Sequence, residues 1–415
     1  MRFLTISTAL ILSLNASSLT DSLIDGKISG KVGLWYQSSD DKKPYWQEKA
    51  TGKNIFSKEN SIANAGLEIG YKSKDYKGFS VGAKFYLLDA LNLHQSIVSS
   101  TPHGDLGVNS TATWLGEGYF RYRYEDSAFK VGRQNINSPL LNSDTWAIHP
   151  NNFEGATFID KTLPNTTLLG AYIVKERVND KEEFEDFMKF VNVDSDYALM
   201  FGASHQLDDL TLTGFYYNVE NILDSIYADA NYKYKNLELS SQFIAMLPKD
   251  KLSTKFNNND DETIAYGLKA SFTYSIFKFS LAYTQTSEDG FIPIANLADN
   301  MIKTPLYTAT ISGDSDIAGL TDTTGYKASL RAKVTNELST ILNWGFYEHG
   351  DSSKYFADNS GAGDESLTAE FILKYRYDKH LKLFLAYMFT DEAKGEYYND
   401  SENVNSVRLW VKYRF

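Results

Sequence analysis

The chain has 415 residues, a net charge of −12 and no cysteine. The acidic balance argues against a nucleic-acid-binding protein, and the lack of cysteine excludes thiolate metal sites and cysteine nucleophiles. Aromatic residues make up 14% of the chain while proline is scarce, with 8 residues, and a single soluble core of this length would normally split into domains.

The first predicted element is a secretory signal peptide at residues 1–16. Arg2 supplies one positive charge, residues 3–14 form a short apolar stretch, and Ala16 offers a small residue for cleavage. Cleavage as late as residue 18 is also open, because serines follow Ala16. No later stretch is long and apolar enough for a transmembrane helix. The sequence therefore predicts an exported chain in which residues 17–415 form one domain.

The rest of the chain reads as eighteen amphipathic strands in which apolar and polar residues alternate. Most are about ten residues long, which suits a tilted membrane strand of roughly 9–11 residues better than a globular strand of about 5–6. The predicted strands are 27–37, 63–72, 79–87, 115–124, 128–134, 155–161, 166–176, 197–206, 210–219, 225–234, 237–246, 263–273, 277–287, 325–334, 338–347, 366–377, 381–390 and 403–415.

The connections between these strands alternate in length. Short turns such as residues 125–127 and 206–209 alternate with long polar segments such as 88–114 and 288–324. An up-and-down membrane barrel has this rhythm of tight periplasmic turns and long outer loops, whereas a soluble sandwich has short turns at both ends. The sequence therefore predicts an all-β fold, a transmembrane antiparallel barrel of about 18 strands in the outer membrane of a Gram-negative bacterium.

The segment TGYKASLRAKV, residues 324–334, shows how the two faces of a strand are assigned. Lys327, Arg331 and Lys333 alternate with apolar residues that point the other way. Turning a cation toward lipid near the bilayer centre costs about 2–4 kcal/mol. The charged face therefore lines a water-filled lumen, and the apolar face meets lipid.

The same assignment predicts a ladder of inward basic residues. Its members are Arg121, Arg123, Lys327, Arg331, Lys374, Arg408 and Lys412, with Arg121, Lys327, Arg331 and Arg408 expected nearer mid-height. Inward Glu117, Glu238 and Glu370 are predicted to form an opposing acidic wall. Rings of charge set the selectivity of many pores. A purely structural role, in which these cations pair with carboxylates to stabilise the wall, stays open.

The segment between the fifth and sixth predicted strands narrows the class further. Residues 130–158 read KVGRQNINSPLLNSDTWAIHPNNFEGATF. This segment resembles the third-loop motif of the OprD family of substrate-selective outer-membrane porins, and the terminal Phe resembles the assembly signal of outer-membrane barrels. The residues that carry the motif are Val131, Gly132, Arg133, Gln134, Ser138, Pro139, Leu140, Asp144, Pro150, Phe153 and Gly155.

This resemblance implies a third loop that folds into the lumen and constricts it. The expected constriction residues are Ser138, Pro139, Asp144, Trp146 and His149. Family members often carry an Arg shortly after the Asp, whereas this chain has Trp146. The resemblance therefore predicts no solute contact by an Arg at this place. The resemblance also implies passive uptake of small charged solutes, such as amino acids, peptides or organic carboxylates.

The expected partners are outer-membrane lipid, lipopolysaccharide and the solutes, with the protein as a monomer or loose homotrimer. No cofactor or metal is predicted, since the six histidines show no zinc-binding spacing. A general diffusion porin and a surface-display or adhesive barrel stay open as alternatives. An enzyme is not predicted, because His349 beside Ser352 and Ser353 is the only local pairing that resembles catalytic machinery.

Overall fold

The computed structural model describes residues 19–41, 54–89, 91, 93, 112–143, 148–179, 181, 183–353, 365–391 and 403–415. Most of these residues belong to a single antiparallel sheet. Its strands are β1 (Lys27–Ser39), β2 (Ser61–Lys72), β3 (Phe79–Asp89), β4 (Ala112–Tyr124), β5 (Ser127–Gln134), β6 (Asn152–Asp160), β7 (Thr166–Arg177), β8 (Glu185–Asp186), β9 (Ala198–Leu207), β10 (Leu210–Val219), β11 (Leu223–Tyr234), β12 (Leu237–Pro248), β13 (Thr263–Tyr274), β14 (Phe277–Thr286), β15 (Thr323–Lys333), β16 (Leu338–His349), β17 (Glu365–Arg376), β18 (Leu381–Asp391) and β19 (Val404–Arg414).

The sheet closes on itself because β19 pairs with β1. Along this seam Lys31 lies opposite Arg414 and Ser39 opposite Ser406. The two-residue β8 only extends the edge of β7, which pairs with β9 beyond it, so eighteen strands form the wall. The predicted eighteen-strand antiparallel barrel is confirmed, and each predicted strand matches a wall strand with its ends shifted by at most three residues.

Side chains alternate between the lumen and the outer surface along each strand. In β13, Tyr266, Leu268 and Phe272 are exposed on the outside, whereas Ala265 and Ser271 are buried on the inside. Lipid, rather than a protein core, covers the outer apolar residues, while every backbone group of a closed barrel pairs with a neighbouring strand. The outer face therefore provides the membrane contact that the alternating pattern predicts.

Helices are minor elements in this fold. The short helix α1 (residues 19–24) precedes β1, and α2 (Asp250–Lys255) follows β12. Single 3₁₀ turns lie at Lys189–Val191 and Asp299–Met301. No helix in the described ranges is long and apolar enough to cross a bilayer. The signal peptide predicted at residues 1–16 lies outside the described residues and stays a prediction.

The two ends of the barrel differ in their connections. One end carries short turns, such as residues 125–126 and 208–209, and is the periplasmic end by the usual orientation of such barrels. The other end carries long loops, of which three matter below. They are L3 (residues 135–151, between β5 and β6), L4 (178–197, between β7 and β9) and L7 (287–322, between β14 and β15).

The main apolar core lies inside the barrel, where described parts of L3, L4 and L7 pack on the inner face of β7 and β9–β13. Exposing these apolar side chains to a water-filled lumen would cost free energy. This part of the wall therefore packs against the loops, and water is excluded between them. Its fully buried members include Leu140 and Leu141 of L3, Phe187 and Met188 of L4, Phe291, Ile294 and Leu297 of L7, and Met200, Val219 and Ile244 of the wall.

Two facing glycines allow β5 to approach β4, and β6 to approach β7, where L3 leaves and re-enters the wall. Gly132 and Gly155 are directly opposite each other. Gly132 has a φ of +121°, which L side chains rarely adopt. A methyl group on Gly132 would also overlap the backbone carbonyl of Gly118. Because backbone atoms move less readily than the end of a side chain, both constraints require glycine at this position.

The substitution Gly132→Ala is expected to destabilise the barrel by about 1–3 kcal/mol, the usual cost of a strained backbone conformation. The measurement is the temperature at which the folded protein in SDS converts to the slower-migrating unfolded form. Gly214→Ala is the matched control, since nothing lies within 4 Å of a methyl group there. Equal conversion temperatures for the two variants would contradict the backbone argument.

Candidate functional site: the lumen and its loops

The predicted basic ladder lies along one continuous part of the wall. Its members belong to β4, β15, β17 and β19. Because β19 pairs with β1, the strands β15–β19 and β1–β5 are neighbours in an unbroken series, called the basic arc below. Arg121 and Lys327 are far apart in sequence, yet the closed sheet places both on this arc.

Four of the ladder cations lie close to the periplasmic end of their strands. Arg121, Arg331, Lys374 and Lys412 come two or three residues before the strand ends at Tyr124, Lys333, Arg376 and Arg414. Arg123 is nearer still to that end. The sequence analysis expected Arg121 and Arg331 nearer mid-height than the rim, and in the structure they lie three and two residues from the periplasmic end of their strands.

The same four cations share one feature of their contacts. Within the described ranges, no carboxylate lies within salt-bridge distance of Arg121, Arg331, Lys374 or Lys412. Three lumen cations outside the predicted ladder are paired: Lys31 with Glu68, Lys84 with Glu117 at 2.6 Å and Lys278 with Glu238 at 2.8 Å. Lys130 and Lys269 instead lie over the rings of Tyr119 and Tyr307. We refer to the four as the periplasmic cations.

The two mid-height ladder residues instead hold parts of the protein together. Lys327 donates from Nζ to the carbonyl oxygen of Ala309 in L7 at 2.6 Å. Arg408 donates from Nε to Oε1 of Gln37 on β1 at 2.8 Å, across the closing seam. These contacts give both cations a structural role, whichever solutes pass.

The three predicted acidic residues do not lie together. Glu117 on β4 and Glu370 on β17 belong to the basic arc, whereas Glu238 is on β12. Glu117 pairs with Lys84, and Glu370 is 3% exposed and accepts hydrogen bonds from the Ser312 amide at 3.0 Å and from Asn343 at 2.9 Å. These carboxylates are therefore separate, individually bonded groups in the described structure.

The described parts of L3 contact lumen-facing side chains on two distant sides of the barrel. Near its start, the Leu140 amide donates to the Tyr217 hydroxyl of β10 at 3.1 Å, and this hydroxyl lies 3.2 Å from Ser138 Oγ. Near its end, Lys31 of β1 donates to the Ile148 carbonyl at 3.0 Å. Strands β1 and β10 are eight positions apart in the eighteen-strand wall.

Two of the predicted constriction residues cannot be placed. Asp144 and Trp146 lie outside the described residues, while Ser138, Pro139 and His149 lie within them. The predicted inward fold of the complete loop, and any solute contact by Asp144 or Trp146, therefore stay predictions.

His149 anchors the end of L3 in a closed pocket. Its ring is 1% exposed, with Nδ1 3.2 Å from Glu68 Oε1 and Nε2 2.8 Å from the Leu87 carbonyl. Tyr86 and Trp114 contact the ring edge-on. Burial lowers the pKa of His149, and the hydrogen bond to Glu68 opposes that shift. The imidazole is thus a fixed structural group rather than one open to solutes.

Loop L7 follows the inner wall, which the sequence analysis did not predict. Its Tyr307 hydroxyl lies 3.3 Å from Asp229 of β11, with Lys269 of β13 over the ring at 4.3 Å. Burial and the Asp229 carboxylate both raise the pKa of Tyr307, which keeps the phenol neutral. Farther along, the Thr308 carbonyl accepts from Tyr347 of β16 at 2.8 Å. The sequence does contain a signal for this packing, which is the apolar run FIPIANLA at residues 291–298 inside a long loop.

The only pairing that suggested an enzyme is part of the wall. His349 is 5% exposed, with Nδ1 2.9 Å from Thr323 Oγ1 and Nε2 2.9 Å from Ser366 Oγ. Both ring nitrogens are engaged by wall hydroxyls, which is the arrangement of a structural histidine. Within the described residues, no group of three or more His, Asp or Glu is placed to hold a metal ion.

A closed barrel with an apolar outer face, a charged lumen and long loops on one side defines a channel protein of the outer membrane. A sequence profile described as outer membrane porin, OprD family, matches residues 98–318. This match covers more than half of the chain, and the protein belongs to the OprD family of outer-membrane porins. Contact with membrane lipid and with small solutes follows from that membership, whereas the oligomeric state stays a prediction.

Solved structures show the same fold at low sequence identity. Acinetobacter baumannii OccAB3 has a TM-score of 0.74 and 17% identity, covering 94% of this chain and 99% of that chain. Pseudomonas aeruginosa OccK3 (OpdO) has a TM-score of 0.73 and 16% identity, and the match covers 96% of this chain and 97% of that chain. The structure of Pseudomonas aeruginosa OpdK with vanillate has a TM-score of 0.75 and 14% identity, and the match covers 95% of this chain and 99% of that chain. A search of curated protein sequences found no significant match.

The pair Gly33–Gly66 offers a test of how the end of L3 is seated. These glycines face each other on β1 and β2, beneath Ile148 and His149. A methyl group on Gly66 would overlap both side chains, whereas one on Gly33 meets its neighbours at 3.6–4.0 Å. Overpacking costs about 1–3 kcal/mol, so Gly66→Ala is expected to speed hydrogen exchange at residues 148–151 roughly 5- to 150-fold.

Gly33→Ala is the matched control and should exchange like the unmodified protein, because its added methyl group fits. Hydrogen exchange of residues 148–151 is followed by mass spectrometry in detergent micelles. Similar exchange in the two variants would show that this glycine pair does not determine where the end of L3 lies.

Proposed function

We propose that the protein is a passive channel that favours small anionic solutes, with organic carboxylates as the main class. The observation that carries this proposal is the set of periplasmic cations, which share one arc of the lumen wall and have no carboxylate partner among the described residues. OpdK, a structural relative, has been crystallised with the organic carboxylate vanillate. We extend that solute class to this chain.

The chemistry of these side chains suits brief contact with a carboxylate. The guanidinium groups of Arg121 and Arg331 offer paired donors that match the two oxygens of a carboxylate, and Lys374 and Lys412 act as compact charges. Near a wet surface, a charge pair at 4 Å contributes about 4 kcal/mol before desolvation is subtracted. The net attraction is small, so solutes enter and leave without being trapped.

The packed loops support selective passage over general diffusion. Described parts of L3, L4 and L7 fill the extracellular half of the lumen along β7 and β9–β13 with buried apolar side chains. Solutes are thereby confined to the cross-section that the loops leave open at that height. Farther toward the periplasm they pass the periplasmic cations, whose field acts at short range because salt screens it over longer distances.

Removing a periplasmic cation should weaken the preference for anions. Arg331→Gln and Lys374→Gln are each expected to lower the anion-to-cation permeability ratio about two- to five-fold, since each removes one charge at short range from the solute path. The ratio is obtained from the reversal potential of single channels in a planar bilayer under a KCl gradient. The matched control is Lys379→Gln, which removes the same charge from an exposed turn between β17 and β18.

Two other results would favour the competing functions. A large conductance without ion preference, unchanged in the Arg331 and Lys374 variants, would indicate a general diffusion porin. If reconstituted protein carries neither ions nor small solutes in liposome swelling, a surface-display role becomes the better explanation.

A further inference from the structure

Loops L3 and L7 are joined by one buried side chain, that of Asn296. Its Oδ1 accepts a hydrogen bond from the Asn142 amide at 3.2 Å, and its Nδ2 donates to the Asn142 carbonyl at 3.2 Å. Asn296 is 2% exposed. Both polar groups of the side chain therefore pair with both backbone groups of one residue 154 positions earlier in the chain. We call this arrangement the Asn296 latch.

The surroundings make the Asn296 latch more than an incidental contact. Beside it, the Leu297 amide donates to the Leu140 carbonyl at 2.7 Å, and both leucine side chains are fully buried in the apolar core. In such a dry setting hydrogen bonds are strong, and an unpaired amide group is costly. The three bonds, two from the Asn296 side chain and one between backbones, together attach the start of L3 to L7.

The two loops share the apolar core, but their hydrogen bonds to the wall reach different strands. The described start of L3 bonds to Tyr217 of β10, whereas L7 bonds to β11, β15, β16 and β17 through residues 307–312. Without the Asn296 latch, only the Leu297–Leu140 hydrogen bond and the shared apolar core would connect the two loops. With it, a displacement of one loop must carry the other along.

We propose that Asn296 is a positioning residue that makes L3 and L7 one body and so fixes the width of the lumen beside them. The inference rests on the proposed function, because this width matters only when solutes pass. In this mechanism Asn296 contacts no solute and acts entirely through the backbone of Asn142.

The substitution Asn296→Ala removes both latch hydrogen bonds and is expected to raise the population of separated loops roughly tenfold. Asn296→Asp keeps the shape and the acceptor for the Asn142 amide but places an oxygen against the Asn142 carbonyl, so it should disrupt the latch as well. The matched control is Asn142→Ala. It keeps both latch hydrogen bonds, in which only backbone atoms of residue 142 take part, and loses only the long 3.4 Å hydrogen bond from Asn142 Nδ2 to the Ser138 carbonyl.

Two measurements on the full-length protein test the latch. Hydrogen exchange of residues 136–143, followed by mass spectrometry in micelles, reports loop separation whether or not the barrel conducts. Single-channel recording reports the rate of transitions between current levels. Both should rise roughly tenfold in the two Asn296 variants and stay at the unmodified level in Asn142→Ala. The temperature of unfolding in SDS should remain close to that of the unmodified barrel, since the wall is untouched.

The outcomes separate this inference from the proposed function. Unchanged exchange in both Asn296 variants, or equal changes in Asn142→Ala, would overturn the latch while leaving anion preference intact. A general loss of folding in both Asn296 variants would also overturn it, because the residue would then serve the barrel as a whole. Faster exchange without any conduction in the unmodified protein would support the latch and reject the proposed function.

Discussion

Every peptide group inside the hydrocarbon layer has to bond to another strand, because lipid offers neither donors nor acceptors. The β1–β19 seam meets this constraint for the whole molecule by leaving no open edge in the wall. The consequences extend to the lumen. Closure brings Arg121 of β4 and Lys412 of β19 onto one arc, so the same hydrogen bonds that satisfy the backbone also assemble the charged surface proposed to attract solutes.

Inside the barrel, the lumen cations fall into two groups that differ in their contacts. The mid-height cations Lys327 and Arg408 bond to a loop carbonyl and to a neighbouring strand. Within the described ranges, the periplasmic cations have no carboxylate within salt-bridge distance. A charge that is already hydrogen-bonded contributes less to a passing solute than one without such a bond, which is why the proposed function relies on the second group. Under the proposed function, stability and selectivity are divided between two heights of one wall.

The sequence predicted the fold well for a physical reason. In a membrane barrel, the cost of turning a cation such as Arg331 toward lipid fixes the face of each strand, and this pattern is local in sequence. Where a strand stops depends on pairing with its neighbour, which explains why Ala112 and Asn152 begin their strands earlier than predicted. Contacts of loop residues depend on the closed wall. The path of L7 and the bonds of Asn296 could therefore not be inferred from alternation.

The seam between β1 and β19 also affects how the protein is made. Its two strands lie at opposite ends of the described chain, so the edge exposed by β1 stays unpaired until β19 is available. A product that stops short of β19 would carry two open edges, which readily pair with other chains. Interrupted synthesis should thus yield aggregation-prone fragments instead of smaller pores, and completeness of the chain becomes a condition for solubility during export.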